Sequence, residues 1–509
     1  MFIGGEKYHP HHKNCIEVLN PATGELIEKV SSASPEDVDK AVQSCASAFG
    51  PWAEKSYAQR SAVLSGISAA LKEKRRSETL AVILTKEQGK PLAESRREME
   101  GVIAVIDYFT GLSSSVHTDF FENKNNGSCS FTLKKPLGVC AAVLPWNMPA
   151  LILAWKLIPA LLTGNTCVVK PSSVCPLTVL EMASVFYEAG LPAGVFNVVT
   201  GDGASVGKQF ASSPDVRKIS FTGSVDAGRN LSAEAAKHGK RITLELGGSD
   251  AMIICDDVGI GTDTDLGTDT DLGTDTGTGI DTGIGMNISD CAFKAVQSRF
   301  FNCGQACISP KRIFVFESVF DQFVESALEA VSQIKIGPGL SEHATMGPLS
   351  SAKSLQSMID FVKKARFEGA QIRAGGKIPE NKDDSDFDFG KGYFFEPTVI
   401  TNVPNDSVLL KEEVFGPIMV INPVKDLDEA ISAANNTNFG LGASIWTNNL
   451  NCAKRGVEEL EAGVVWVNQH AKILPELPFG GVKDSGIGRE NGYGVLNDYL
   501  ETKTVVFKF

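Results

Sequence analysis

The sequence lacks three things that would set it apart from ordinary globular proteins. It has no long unbroken apolar run: the nearest candidate, Ala141 to Gly164, is interrupted by Pro145, Asn147, Pro149, Lys156 and Pro159. A spanning helix with those residues would leave polar groups unsatisfied in hydrocarbon, so the stretch reads as a strand, a turn and a buried helix. It has no surplus of basic charge, since 48 Lys and Arg face 61 Asp and Glu for a net charge of −13. Such a field repels phosphate backbones and anionic headgroups, which excludes nucleic acid and membrane surfaces as default partners. It has no cysteine framework either: its 11 cysteines are odd in number and lack the spacing of disulfide pairs or of a zinc site, as in a reducing compartment. The start, MFIGGEKYHPHHKNC, has neither the basic and apolar regions of a secretory signal nor the Arg- and Ser-rich pattern of a transit peptide. A cytoplasmic location is the expectation.

What is present is a chain of 509 residues with 43% hydrophobic and 21% charged residues, a soluble globular composition with room for about three domains. Apolar residues at three and four spacing predict two helices between Glu36 and Arg75, with Ser34 and Pro35 as start signals, and a third from about Lys90 to Tyr108. Periodicity fades through Ser113 to Ser128, and SCSFTLKKPLG then alternates like an exposed strand. Short apolar runs next alternate with helical patterns, from VCAAVLPW through TCVVK, VFNVVTG and KISFTGS to ITLEL, the form of a doubly wound parallel sheet. A second α/β alternation covers about Lys294 to Gly463, and the final LETKTVVFKF alternates again and suits pairing with the earlier exposed strand, within the chain or across a subunit interface. Between Asp257 and Asn287 the sequence is Gly-, Thr- and Asp-rich, with GTDTDL repeated in tandem at 261–266 and 267–272. It is too poor in large apolar side chains to form a core and reads as a solvated insertion, about 258–286; the calcium-loop patterns that Asp and Gly invite are not present. The histidines His9, His11 and His12 read as a solvated terminus rather than a metal site.

Several residues could do chemistry. FNCGQACIS places Cys307 after two glycine- and glutamine-bearing positions, at the expected first turn of a helix, where backbone N–H groups favour a thiolate. A buried packing thiol is the alternative for Cys307 alone, and Cys303 lacks the further ligands that a metal pair would need. Glu245 in ITLELGG ends an apolar strand, at the edge where open α/β sheets bind ligands, and Asn147 in LPWN lies just past another, where its amide could donate to an oxyanion. Either could instead be a solvated or capping residue. VVTGDGASVG (Gly201, Gly203, Gly207) and FTGSVDAG (Gly223, Ser224, Gly228) follow strands and open helices, either as phosphate cradles or as ordinary tight turns.

Taken together, LPWN (144–147), VVKPSS (168–173), FTGS (221–224), LELGG (244–248), FNCGQAC (301–307), EEVFGP (412–417) and LPFGGVKDSGIGRE (477–490) resemble the aldehyde dehydrogenase superfamily, over nearly the whole chain. The resemblance implies a Rossmann-like cofactor domain (1–115 and 137–247), a second, catalytic α/β domain (248–484) and a small β oligomerisation ribbon (116–136 and 485–509). It implies Cys307 as nucleophile, Glu245 as general base and Asn147 as oxyanion donor. The intermediates would be a thiohemiacetal and, after hydride passes to the nicotinamide, a thioester hydrolysed to the carboxylate. NAD or NADP would lie against Trp146, Lys170, Ser173, Gly203, Gly207, Phe221, Gly223, Ser224, Gly228, Glu413 and Phe415, with Lys170 on the adenosine ribose. No metal is expected; the partners are a small aldehyde and further copies of the chain, as homodimer or homotetramer.

The sequence also departs from that family. Ser173 stands where NAD-preferring members carry a glutamate that repels a 2′-phosphate, so both coenzymes are expected to be accepted. Ser249 replaces a frequent lysine, and the insertion lengthens the interval from Glu245 to Cys307; loop length enters closure entropy only logarithmically, so the site is expected to tolerate it. Met148, Leu151, Ile152 and Trp155 should line the aldehyde tunnel, opposite Ile473 and Phe479. Trp155 stands where members resembling succinate-semialdehyde dehydrogenases carry arginine, and Met148 where betaine-type members carry an aromatic, which favours medium-chain aliphatic or aromatic aldehydes. The alternatives are a semialdehyde dehydrogenase using His470 or Lys472 and, from another class, a non-catalytic binding protein on the same fold.

Overall fold

The computed structural model describes residues 1–10, 12–116, 118–123, 127–258, 287–381 and 387–508. The repeat-bearing insertion, from 259 to 286, and His11 lie outside the described residues. His12 Nε2 is hydrogen-bonded to Asp37 Oδ2 at 2.8 Å, so it is not a freely solvated side chain.

Four short strands (Phe2–Ile3, Glu6–Lys7, Cys15–Leu19 and Leu26–Ser31) open the chain, and four helices follow: α1 (Pro35–Ala53), α2 (Tyr57–Lys72), α3 (Lys74–Gln88) and α4 (Leu92–Gly111). Ser34 caps α1 through a reciprocal capping box with Asp37, and Pro35 sits in its first turn. Helix α3 is absent from the sequence reading, because Glu73 serves both as the end of α2 and as the start of α3 without any side-chain cap to mark the break.

Strands β1 (Phe120–Asn123) and β2 (Ser128–Pro136) then leave the helical body, before the chain enters the first large sheet. Its parallel strands are β3 (Val139–Val143), β4 (Thr166–Lys170), β5 (Phe196–Val198), β6 (Val216–Thr222) and β7 (Arg241–Glu245). Between them run α5 (Pro149–Leu162), α6 (Leu177–Glu188), α7 (Gly203–Ser212) and α8 (Val225–Lys237). In space the parallel strands stand in the order β5-β4-β3-β6-β7, so the order reverses between β3 and β6. Ligands of doubly wound sheets bind at such a switch point, outside the carboxyl ends of the strands.

The apolar run at Ala141 to Gly164 resolves into β3, a turn and α5. Thirteen of the fourteen residues of α5 are buried, and no helix among the described residues is long and apolar enough to cross a membrane.

The second sheet is built on β8 (Asp250–Ile254), which leads to α9 (Ile288–Phe300) and β9 (Pro310–Phe316). Beyond it come β10 (Gln371–Ala374), β11 (Thr398–Thr401), β12 (Ile418–Val424), β13 (Gly442–Trp446) and β14 (Val464–Val467). The order is β10-β11-β12-β9-β8-β13-β14, parallel except for the edge strand β10. One sequence-based placement changes. Gly486–Ile487 (β15), expected in the C-terminal ribbon, pairs antiparallel with β7 at the edge of the first sheet. A Cβ at Gly486 would stand 2.1 Å from the Leu244 carbonyl oxygen, so only glycine lets the chain approach there. The last strand, β16 (Leu500–Lys508), pairs with β2 of its own chain over nine residue pairs, Leu500↔Pro136 to Lys508↔Ser128, and β1 completes this three-stranded antiparallel sheet.

Candidate active site

Cys307 lies between α9 and β9. It is at no helix N-terminus: α9 ends at Phe300, a 3-10 turn covers Phe301–Gly304, and Cys307 occupies the turn that enters β9. The expected stabilisation of a thiolate by a helix start is therefore missing, and burial pushes the Cys307 thiol up to about 12. The chain turns so sharply because Asn302, Cys303 and Gly304 all have positive φ (50°, 56° and 70°). A Cβ at Gly304 would meet the Gly416 carbonyl oxygen at 2.4 Å. Buried Arg299 clamps this turn to the segment before β12. Its guanidinium donates to the carbonyls of Ile418 (2.7 Å), Gly304 (3.2 Å) and Gly416 and to Ser309 Oγ (2.5 Å).

Asn147, past the end of β3, is held against that turn. Its Nδ2 donates to the Gln305 carbonyl at 3.0 Å, while its own carbonyl accepts from Lys90 Nζ at 2.7 Å and Asn302 Nδ2 at 3.1 Å. Lys90 pairs with Glu98 at 2.6 Å, both side chains fully buried, and Glu98 Oε1 accepts the first-turn N–H groups of α5 from Ala150 (2.9 Å) and Leu151 (3.2 Å). One amide N–H of Asn147 is thereby used for positioning, and the other can serve an oxyanion.

Glu245 ends β7 opposite Gly486. Neither of its carboxylate oxygens has a hydrogen-bond partner among the described residues. Burial, reinforced by the like charge of Glu490, raises its pKa well above the usual carboxylate range. Glu490 is itself buried against Lys156 Nζ (2.7 Å), which also donates to Ser220 Oγ (2.9 Å). Sequence reasoning singled out neither Lys90, Glu98, Arg299 nor Glu490. The available signal was charge inside apolar runs, such as Lys156 in ALILAWKLIPALL, because a buried ammonium demands a partner.

On the coenzyme side, the crevice between β3 and β6 is flanked by Trp146 and by Gly223 and Ser224. The Trp146 ring meets Phe415 edge-on at 5.4 Å, and Glu413 Oε1 accepts from the Gly248 N–H at 2.8 Å. Ser224 caps α8 and Asp202 caps α7, so both helix N-termini open at strand ends. Lys170 ends β4; burial lowers its pKa to about 8, an environment that an anionic ligand would relieve. Ser173 Oγ donates to the Gly201 carbonyl at 3.0 Å. The glycines divide. A Cβ at Gly203 would be in ordinary contact with Lys170 Nζ (3.6 Å) and one at Gly207 with Leu231 (3.5 Å), whereas at Gly223 it would meet the Phe221 ring at 2.6 Å and at Gly228 the Leu246 side chain at 2.4 Å. Gly228 thus lets α8 pack closely on Leu246.

The six tunnel candidates gather with Cys307 around one apolar cluster: Ile152, Trp155 and Phe479 are buried in it, and Met148, Leu151 and Ile473 pack on it. Trp155 and Phe479 are tilted against each other at 5.1 Å. Met148 turns its sulfur to Lys90 Nζ, which lies 3.2 Å away. His470 Nε2 donates to the Ile308 carbonyl at 2.8 Å and Nδ1 bonds Ser444 Oγ at 2.8 Å, and burial lowers its pKa to about 4, so the ring is neutral. The Lys472 side chain is exposed.

The model of the aldehyde dehydrogenase family matches residues 8–265 and 285–505 of this chain. Among solved structures, an NADP-dependent enzyme from E. coli is 33% identical with a TM-score of 0.90, over 100% of this chain and 98% of that one. An aldehyde dehydrogenase from Brucella melitensis biovar abortus 2308 is 33% identical at TM-score 0.90, covering 100% and 97%. A betaine aldehyde dehydrogenase from Staphylococcus aureus, solved in complex with NAD+, is 32% identical at TM-score 0.90, covering 100% and 94%. With the family model spanning both sheets and the crevice between β3 and β6, the chain belongs to the aldehyde dehydrogenase family.

Proposed function

We propose that this NAD(P)-dependent aldehyde dehydrogenase works through Cys307 as nucleophile, Asn147 as oxyanion donor and Glu245 as general base, and that it prefers medium-chain aliphatic or aromatic aldehydes. The observation that carries the reading is the Asn147 amide fixed on the turn of Cys307 by the 3.0 Å bond to Gln305, with the unpartnered Glu245 carboxylate bearing on the same thiol. Cys307 Sγ attacks the aldehyde carbon, and the second Asn147 N–H and the Cys307 backbone N–H stabilise the resulting alkoxide. Bound nicotinamide coenzyme supplies the hydride acceptor. Glu245 then takes a proton from the water that attacks the thioester, and Cys307 leaves as thiolate with release of the carboxylic acid.

The strand-order switch, the two helix N-termini and the buried cation Lys170 suit a dinucleotide pyrophosphate and ribose. Trp146, Phe221, Gly223, Ser224, Glu413 and Phe415 would line the nicotinamide side and Gly203, Gly207 and Ser173 the adenosine side. Without a carboxylate at position 173, NADP is expected beside NAD. The apolar cluster around Cys307 favours a substrate without charge, because a carboxylate or quaternary ammonium would lose its hydration there without a partner. A semialdehyde reading is weakened by a neutral, fully bonded His470. The three-stranded sheet β1-β2-β16 presents Phe120, Phe121, Val506 and Phe507 to solvent, which suits a ribbon between subunits of a homodimer or homotetramer.

The test is production of NADH and NADPH, followed by absorbance, for the wild type and Cys307→Ala across acetaldehyde, hexanal, benzaldehyde, succinate semialdehyde and betaine aldehyde. Turnover lost with Cys307 and highest on hexanal or benzaldehyde is expected. Turnover that survives the substitution sinks the nucleophile, and a lead for succinate semialdehyde or betaine aldehyde sinks the substrate preference.

A further inference from the structure

Burial opposes ionisation of Cys307 and no helix terminus favours it, so a thiolate needs another source of positive potential. Lys311, the second residue of β9, sits directly behind the thiol's own turn. Its Nζ donates to the carbonyl oxygens of Cys307 at 2.8 Å, Ala306 at 3.2 Å and Ser309 at 3.3 Å, and the residue is 1% exposed. A neutral amine has two protons to donate and an ammonium three, so a turn that aims three carbonyls at one nitrogen is built around the cation.

The other charged groups nearby are already engaged or of opposite sign. Asp250, on β8, accepts from the Gly442 N–H at 3.1 Å through Oδ1, while its Oδ2 has no hydrogen-bond partner among the described residues. Glu413 is bonded to Gly248. Arg299 spends its guanidinium on the carbonyls and hydroxyl named above, and Arg312 on the Ser249, Ala433 and Ala434 carbonyls. His470 is neutral. Asp250, Glu413 and Glu245 all bear on the thiol with negative sign, and Lys311 is its strongest cationic influence; burial lowers the pKa of Lys311 itself, and Glu413 and Asp250 act against that loss by favouring its ammonium form.

We propose that Lys311 is a positioning residue for the nucleophile: a fixed ammonium that holds the Cys307 turn from behind and whose charge favours the thiolate over the thiol. This rests on the reading of Cys307 as nucleophile, and the experiment separates the two.

The experiment is alkylation of the full-length protein by iodoacetamide from about pH 7 to about pH 10, with modification of the Cys307 peptide followed by mass spectrometry. Lys311→Met is expected to move the rising limb of rate against pH upward by about one unit, an about tenfold smaller thiolate fraction at a given pH, partly offset by the greater nucleophilicity of the less acidic thiol. Lys311→Arg restores most of the rate. A purely structural lysine would lower the melting temperature and leave the limb in place. A limb of Lys311→Met that superimposes on the wild type overturns the proposal; should Lys311→Met fail to fold, Lys311→Gln, an uncharged donor to the same carbonyls, is read in its place, and an unmoved limb there overturns it. Failure of the nucleophile reading shows elsewhere, as NADH or NADPH production that persists in Cys307→Ala.

Discussion

Replacing Glu98 by alanine tests the link between the helical layer and the reacting turn. Glu98 carries three buried interactions at once: the ion pair with Lys90 at 2.6 Å and the N–H groups of Ala150 and Leu151 at 2.9 and 3.2 Å. Its removal leaves a buried ammonium without its counter-charge and two first-turn N–H groups without an acceptor. Breaking one side of a buried pair costs about 3–5 kcal/mol, against a total of about 5–15 kcal/mol for a typical domain. For a domain of 150 to 250 residues that corresponds to a melting temperature lower by roughly 6–20 °C at a fixed scan rate. The chemistry should suffer as well, because Lys90 is also the 2.7 Å donor to the Asn147 carbonyl. The paired replacement Lys90→Met with Glu98→Gln removes both charges and keeps an acceptor for the α5 N–H groups. It should recover much of the stability lost by Glu98→Ala while kcat stays reduced, since the Asn147 carbonyl has lost its anchor. Differential scanning calorimetry and steady-state kinetics decide the matter. A Glu98→Ala protein melting within about 2 °C of wild type would refute the assignment of this pair as a structural link.

Three further outcomes follow from the site. Asn147→Ala should lower kcat on the order of 10²- to 10³-fold with alkylation of Cys307 retained; a change confined to KM would remove the oxyanion role. Glu245→Gln should give a burst of reduced coenzyme equal to the enzyme present and then slow by about 10²- to 10⁴-fold, as thioester hydrolysis loses its base; an unchanged steady state would dismiss that role. Because the folded-state pKa of Glu245 is raised, the native protein holds a proton that the unfolded chain has released above the ordinary carboxylate range. Its contribution to stability is therefore present at low pH and lost as pH rises through the raised pKa, so Glu245→Gln should flatten the decline of melting temperature over that window. Gly304→Ala combines a positive φ of 70° with a Cβ only 2.4 Å from the Gly416 carbonyl, and should cost about 2–5 kcal/mol in denaturant unfolding; a loss under about 0.5 kcal/mol would mean that the turn has freedom it does not show.

The sequence by itself determined the class of structure and pointed to the residue types of the candidate site. Alternating apolar runs and helical patterns can be buried on both sides only by parallel sheets covered with helices, and the strands β3, β4, β6 and β7 stand where the pattern put them. Asn147 in LPWN and Glu245 in LELGG stood out because strand ends in such sheets are where ligands bind, and both lie at or just past strand ends. Helix α3 escaped because its boundary with α2 is a backbone break without a capping side chain. The helix expected at Cys307 failed because Asn302, Cys303 and Gly304 take left-handed conformations, which Asn and Gly tolerate but do not by themselves dictate. What only the tertiary structure decided is long-range: Lys90 is 57 residues from the carbonyl it anchors, and Lys156 is 334 residues from the Glu490 that neutralises it. A sequence shows that a buried charge must have a partner, but the partner's identity depends on which strand lies next to which. That order is set by the packing of the whole sheet and by single close approaches such as Gly486 on Leu244.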